Sequence, residues 1–570
     1  MLEASSTSSA VEAGPSYQLV EGIHVIKVKG SFREMGQQHG ELLREFIPQG
    51  PLPYFRSYME RIIKQSSLGG LAPLVWPLIR GFYGRRIERA LPDFARDTLL
   101  GLAEGAGISE RDMLDACTMP DALLCVVSRL IQLKRCAPAI DHRLALGLGC
   151  TSAVAWGDAT ADGQLLHARN FDYHGVTSWA GTTTVAFHEP DEGHRYVSVC
   201  AAGVPLGGVT AMNAAGLTLT VHQHMFTDES RLGGMPVGLV GDIVMREAAN
   251  LDEAEAILRK HKPIGCWTYV VTDGHKRELL CFEENPRRKV AKRIPTETSR
   301  FGYANIYMDK ELGETEKNLY PSYWRHNLGR HQRVHSLLDQ GGGELDPERM
   351  AGILGDSGDS ECRLHRSIAM LMTVGSVVFQ PESGRLWVAT GEAPTSQRRY
   401  IGFDLKAEAQ SPEAGILDPC ADIPKESREA FDAYRDAYLA YFDEGEVGAA
   451  RGRIDEARRL QPEQSLYHSL GGLLAIQDGD LSAARSAFDR AIELGHPDEE
   501  RRAAFLLWRG RLKDLAGERE PAVEDYRSAL ALSCDPEVKT ALKKSLKRPY
   551  KRSAARKIRI DFTFADVIHP

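Results

Sequence analysis

The stretch GLGCTSAVAWGDATADGQLLHARNFDYHG, residues 147–175, brings together a cysteine, an arginine and an aspartate: Cys150, Arg169 and Asp172. A thiolate is a strong nucleophile, a guanidinium beside it favours the ionised form, and a carboxylate can orient the base that takes the thiol proton. TSAVAWG and QLLHARN both alternate as strands do, and DATADG between them holds Asp162-Gly163, a hairpin turn pair. Cys150 then heads the first strand. Arg169 and Asp172 lie three residues apart at the end of the second, where a turn would aim both at the thiol. The residues alone fit a buried cysteine before an ordinary hairpin as well, because free cysteines are among the most buried side chains.

Other constellations carry less. GDSGD at 355–359 resembles a serine nucleophile loop, but Ser357 has no recognisable histidine partner motif and no disulfide context. His222 and His224 share a strand face, and His331 and His335 a helix face, yet no acid or cysteine follows either pair at ligand spacing. They read as core or surface histidines, so no metal and no cofactor is expected. Nothing resembles a phosphate loop.

These residues need elements to hold them. The chain has 570 residues, too many for one core, and implies several domains. It has no apolar run of the roughly 18 residues that spans a membrane, and its start lacks the charged head and apolar middle of a secretory signal, so the expected location is cytoplasmic. The ten cysteines form no CxxC pair and no disulfide scaffold. Net charge is −8, yet Lys539 to Arg559 carries ten basic residues and no acid. Such a run fits a solvated tail or one folded back on the acidic body better than a nucleic-acid site.

Residues 1–16 read as a disordered start and 17–149 as a mainly helical segment opened by the strand-like YQLVEGIHVIKVKG. Residues 150–405 carry many short alternating runs, TSAVAW, QLLHAR, TTTVAF, RYVSVC, LTLTVHQ, WTYVVT, ELLCFE, SVVFQ and RLWVAT, an α+β signature. A linker is expected at 406–424, a helical repeat region at 425–548 and a basic tail at 549–570. In the repeats, Gly445, Gly479 and Gly517 are each followed by Ala five residues on, by Ile454, Phe488 or Tyr526 nine on, by Ala twelve on and by Leu fifteen on. Origins 34 and 38 residues apart with small residues at helix contacts resemble tetratricopeptide repeats. Such a stack is expected to bury its own core, to stand apart from catalysis, and to bind a protein partner or a second copy.

GCTSAVAWGDATADGQLLHARNFDY is similar to the nucleophile region of N-terminal-nucleophile hydrolases, specifically the peptidase C45 family that contains acyl-coenzyme A:6-aminopenicillanic acid acyltransferase. KGSFREMGQQHGELLRE, AMNAAGLTLTVHQ, FGYANIY, HNLGRHQRVHSLL, ILGDSGDSECRLHRS and SVVFQPESGRLWVATGEAP follow in family order, so the resemblance covers about residues 17–405. It implies an αββα sandwich whose precursor cuts itself at Gly149–Cys150, leaving Cys150 as nucleophile and its α-amine as base. An α-amine suits that task, with an ordinary pKa near 7.7–8.0. Gly149 would permit the close geometry in which the thiol attacks the preceding carbonyl. Asp172 would orient the amine and Arg169 would favour the thiolate, while the Asn213 backbone N–H and the Asn305 side chain would hold the oxyanion. Thr151, Arg330 and Arg333 are substrate or structural candidates. The implied substrate is a small acyl amide or acyl-CoA. Hydrolysis is the first reading. An acyl-CoA-dependent N-acyltransferase and an inactive repeat scaffold are the alternatives.

Overall fold

A computed structural model describes residues 14–65, 77–136, 149–204, 207–224, 227–317, 321–358 and 366–570. Most of the segment expected to be disordered, 1–13, lies outside the described residues, as does Asp359 of GDSGD. In chain order the strands are β1 (Ser16–Val20), β2 (Ile23–Gly30), β3 (Gly149–Ala155), β4 (Leu166–Asp172), β5 (Thr183–Pro190), β6 (Tyr196–Ala201), β7 (Thr210–Asn213), β8 (Leu217–Gln223), β9 (Trp267–Asp273), β10 (Glu278–Glu284), β11 (Lys289–Ile294), β12 (Arg300–Tyr303), β13 (Thr373–Gln380), β14 (Arg385–Ala389), β15 (Tyr400–Asp404), β16 (Ala409–Gln410) and β17 (Ile416–Leu417). All nine alternating runs in 150–405 are strands.

One sheet has the order β1-β2-β5-β6-β7-β8-β9-β10-β11, and the other β12-β3-β4-β13-β14-β15-β16 with β17 also on β15. Alternation gives each sheet two apolar faces. Val185, Phe187 and Val197 of the first meet Val377, Phe379 and Val388 of the second in one core between the sheets. On the outer face of the first sheet lie α1 (Phe32–Leu42) and, after α2 (Pro51–Gln65), α3 (Asp93–Ala106), with Met35, Leu99 and Leu102 packed on Ile26 and Val28. Helix α4 (Glu110–Cys136) follows, then α5 (Val237–Glu247) and α6 (Leu251–Lys260). The second sheet is covered by α7 (Pro321–Gln340) and α8 (Pro347–Leu354), through Val334, Leu338 and Met350. The layers are therefore helix, sheet, sheet, helix. Glycines let α1 and α3 cross closely: a Cβ on Gly36 would stand 2.2 Å from the Thr98 carbonyl oxygen, and one on Gly101 2.1 Å from that of Arg33.

Beyond β17 the chain is helical as far as Lys547: α9 (Lys425–Tyr438), α10 (Val447–Leu460), α11 (Ser465–Asp478), α12 (Leu481–Leu494), α13 (Glu499–Leu515), α14 (Arg519–Leu530) and α15 (Pro536–Lys547). The repeat register has a structural cause. Gly445, Gly479 and Gly517 follow helix ends with φ of +78°, +86° and +84°, which only glycine adopts without strain. The larger residue of each repeat is fully buried, and Phe488 and Tyr526 press against Gly472 and Gly510 of the preceding helix.

Three boundaries differ from expectation. Residues 406–424 are not a free linker, because β16 and β17 extend the second sheet by pairing with β15. The stack does not stand apart: Tyr434, Tyr438 and Phe442 share one hydrophobic core with Tyr58, Tyr173 and Trp179 of the sandwich. Polar contacts reinforce that union, with Tyr54 and Arg61 both donating to Asp443, at 2.9 and 3.0 Å. Residues 549–570 are a basic tail only in their first half. Ile558, Ile560, Phe562, Phe564 and Val567 are buried, and β18 (Ile560–Asp561) pairs with β19 (Asp566–Val567). Charge counting hid an apolar alternation, which burial rewards at roughly 25 cal/mol per Å². Among the described residues, no helix is long and apolar enough to cross a membrane.

Candidate active site

Cys150 is the second residue of β3, paired with Phe171 of β4 while Gly149 pairs with Asp172. Side chains alternate across a strand, so Arg169 shares the inter-sheet face with the Cys150 thiol and Asp172 takes the opposite face beside Gly149. No turn is needed to aim them, contrary to the reading from spacing. The strand itself sets arginine and aspartate on the two sides of the Gly149–Cys150 peptide.

Each group has a defined partner. Arg169 Nη2 donates to the Cys150 sulfur at 3.6 Å and to the Val221 carbonyl at 2.9 Å. The Cys150 backbone N–H donates to Asn305 Oδ1 at 2.5 Å. That oxygen also accepts from Arg330 Nη2 at 3.1 Å, while Asn305 Nδ2 donates to the Gln223 carbonyl at 2.8 Å. Two donors on one side and a carbonyl on the other fix the amide orientation of Asn305. Asn305 therefore holds the nitrogen that cleavage would free, and one of its two N–H donors is engaged by the Gln223 carbonyl. Asp172 Oδ1 accepts from Thr373 Oγ1 at 2.5 Å, whereas buried Oδ2 has no hydrogen-bond donor and stands 4.0 Å from Arg330 Nη1.

Arg330, on α7, is fully buried and ties the site together. Its Nη1 donates to the Cys150 carbonyl at 2.9 Å and to Thr151 Oγ1 at 2.8 Å; Nη2 also reaches Asn327 Oδ1 at 2.9 Å, and Nε reaches His326 Nδ1 at 3.3 Å. With every arm of the guanidinium engaged by protein, it orients the backbone at the nucleophile, and Thr151 is one of its anchors. Burial raises the pKa of the Cys150 thiol, and the Arg169 and Arg330 charges pull against it. Burial likewise raises Asp172, against Arg330, the Thr373 hydrogen bond and Arg169. Two buried cations face one carboxylate, an excess that favours a developing anion.

Two expected residues lie elsewhere. Asn213 does not reach the site. Its Nδ2 donates to the Met245 and Ala248 carbonyls, both at 2.9 Å, and its Oδ1 accepts from Ala215 and Leu217 N–H, so it builds the β7–β8 turn. From Leu217 to Gln223, β8 runs about 20 Å at the usual rise per residue, and Gln223 is the end at Cys150. Arg333 turns away into a two-pronged pair with Asp356, at 2.6 and 3.0 Å. The structure also adds Gln223, Asn327, Thr373 and Met370, which no motif marked; only the strand register and the helical spacing of Asn327 with Arg330 could have pointed to them.

The candidate histidines hold structural contacts. His222 Nε2 pairs with Ser152 Oγ at 2.9 Å, His224 with Glu316 and Thr268, both at 2.9 Å, and His331 lies against the His335 ring at 4.7 Å.

The thiol opens into a cavity of about 100 Å³, whose walls include Phe55, Phe171, Tyr173, Trp179, Val221 and Trp267. Cys150, Arg169, Asp172, Gln223 and Asn305 also line it. An apolar chamber with convergent polar groups at a nucleophile is the form of a small-molecule site. Phe55 belongs to α2, upstream of Gly149, so both sides of the candidate cut contribute walls.

The fold and site define a layered α+β protein with a buried thiol, two guanidiniums and a carboxylate at the head of an inner strand. The family model of Acyl-coenzyme A:6-aminopenicillanic acid acyl-transferase matches residues 159–394. An uncharacterized protein of Archaeoglobus fulgidus is 28% identical over 275 residues, 46% of this chain and 43% of that protein. The chain thus spans less than half the length of this relative. The family match supports an enzyme of the acyl-transferase or hydrolase type; it begins after β3, so it includes Arg169, Asp172, Asn305 and Arg330 but not Cys150, and it ends before the helical stack.

Proposed function

We propose that the chain is an N-terminal-nucleophile cysteine amidohydrolase that cuts its own Gly149–Cys150 bond and then cleaves a linear amide or thioester through an acyl-enzyme on Cys150. One observation carries this reading: Asn305 Oδ1 holds the Cys150 nitrogen while Arg169 donates to its sulfur, so the two reactive atoms of one residue have separate partners. The freed amine takes the thiol proton, and the sulfur attacks the substrate carbonyl. As the C–N bond breaks, the leaving amine recovers that proton. Water, deprotonated by the same amine, then attacks the thioester and releases the acid. Gln223 replaces Asn213 as the candidate oxyanion donor, since it lines the cavity and its carbonyl is held by Asn305 beside Cys150.

The apolar walls fit an apolar acyl group, and hydrolysis needs no acceptor beyond water. Transfer to an acceptor amine is the closest variant of the same chemistry. The C-terminal stack is read as tetratricopeptide repeats from its register and its paired helices. A scaffold that has lost activity is less supported, because the thiol, its partners and the cavity are all in place. The test is Cys150→Ala with a panel of apolar N-acyl amides: the variant stays uncut and inactive, and turnover equal to that of the unaltered chain would remove the nucleophile assignment.

A further inference from the structure

The last buried segment of the chain lies against the helical stack as a bound peptide would. Its backbone is held by side chains from alternate helices. From α11, Gln477 Nε2 donates to the Ile558 carbonyl at 2.9 Å; from α9, Tyr434 OH donates to that of Phe562; from α13, Arg501 donates to those of Phe564 and, at 2.6 Å, Ala565. Just beyond α9, Tyr441 OH accepts from Ile560 N–H at 3.2 Å. The segment is a short hairpin, β18 and β19 joined by the turn at 562–565, and the stack grips the main chain of that turn and of the strand leading into it. Here the occupant is the chain itself.

This segment also touches the catalytic layer. Ser322 of α7 donates to Asp566, and the Phe564 ring lies 4.8 Å from the His326 ring and 5.7 Å from that of Tyr323. Tyr323, His326, Asn327 and Arg330 follow one another at i, i+3, i+4 and i+7, one face of α7. At one end of that face sits Phe564. At the other, Arg330 grips the Cys150 carbonyl and Asn305, with its Nε held by His326.

We propose that residues 558–568 are an internal peptide ligand of the helical stack and that, through Phe564 and His326, they position the Arg330 guanidinium at Cys150. The stack is then a brace for the site, its peptide-binding face filled in cis. His326 and Phe564 are positioning residues, acting through Arg330.

Because Arg330 favours the thiolate, loosening it slows alkylation of Cys150 by iodoacetamide, a readout that does not require turnover. The experiment uses the full chain and measures site-specific alkylation against pH, together with kcat and KM on a substrate of the proposed class. Phe564→Ala is expected to slow alkylation about five-fold at fixed pH and to lower kcat about ten-fold with KM within two-fold. Phe564→Leu should recover most of both, and Phe564→Ala combined with His326→Leu should be no worse than His326→Leu alone, as one coupled path requires. Phe488→Ala, equally buried inside the stack, controls for general loosening and should leave alkylation unchanged. If Phe564→Ala does not fold, His326→Leu against His326→Asn decides, since asparagine restores an acceptor for Arg330. Normal alkylation in folded Phe564→Ala, multiplying effects in the double variant, an equal loss in Phe488→Ala, or His326→Asn no better than His326→Leu would each overturn the proposal. A chain without turnover would count against the catalytic reading above, while the alkylation arm would still decide this one.

Discussion

Gly149→Ala separates maturation from turnover. A Cβ at position 149 would stand 2.9 Å from Asp172 Oδ2, 3.0 Å from Met370 Sδ and 3.1 Å from Arg330 Nη2. All three are tighter than ordinary carbon contacts. The methionine can give way, but Asp172 is tied to Thr373, and Arg330 to Cys150, Thr151, Asn305 and Asn327. Overpacking of this kind costs about 1–3 kcal/mol. If that strain appears fully in the barrier for attack on the Gly149 carbonyl, self-cleavage slows about 5- to 160-fold. Residue 149 then leaves the nucleophile. Once cut, the variant's Cys150 chain is identical to the unaltered one, so its kcat/KM per cut molecule should be unchanged. A time course of intact mass, followed by assay of the cut fraction, measures both. Cleavage at the unaltered rate, or a cut enzyme with different kcat/KM, would refute the reasoning.

Asp172→Asn should still cut, because Oδ2 has no donor in the uncut chain, yet turn over on the order of 10²-fold more slowly, since the charge acts on the amine that cleavage exposes; comparing mass with activity checks this. Asn213→Ala should lose about 1–3 kcal/mol of stability in a denaturant melt, through the groups left unpaired at the β7–β8 turn, and keep its kcat. A chain ending at residue 410 should fail to give soluble active protein, because it would expose Tyr58, Tyr173 and Trp179 where the stack now covers them; a soluble, self-cleaving product would show that the shared core is dispensable.

The strands were legible because alternation is local, and so was the place of Cys150 at the head of β3. Arg169 and Asp172 were legible as a pair but not in their arrangement: their opposite faces follow from register with β3, which composition does not show. Asn213 misled because Asn-x-x-Gly is a turn signal, and turning the chain is what it does; the residue at the site, Gln223, lies at the far end of the same hairpin. Arg330 and Arg333 look alike three residues apart on one helix. Only the packing of α7 on β3 decides that one is fully buried and the other pairs with Asp356. The C-terminal segment was masked by its charge, although Ile558, Ile560, Phe562 and Phe564 alternate in plain view.

The central claim is that Cys150 becomes the end of a chain. Intact mass of the purified protein tests it most directly. The account predicts two species held together without a covalent link, one ending at Gly149 and the other beginning at Cys150. A single uncut chain, or a second chain beginning at any other residue, would contradict it.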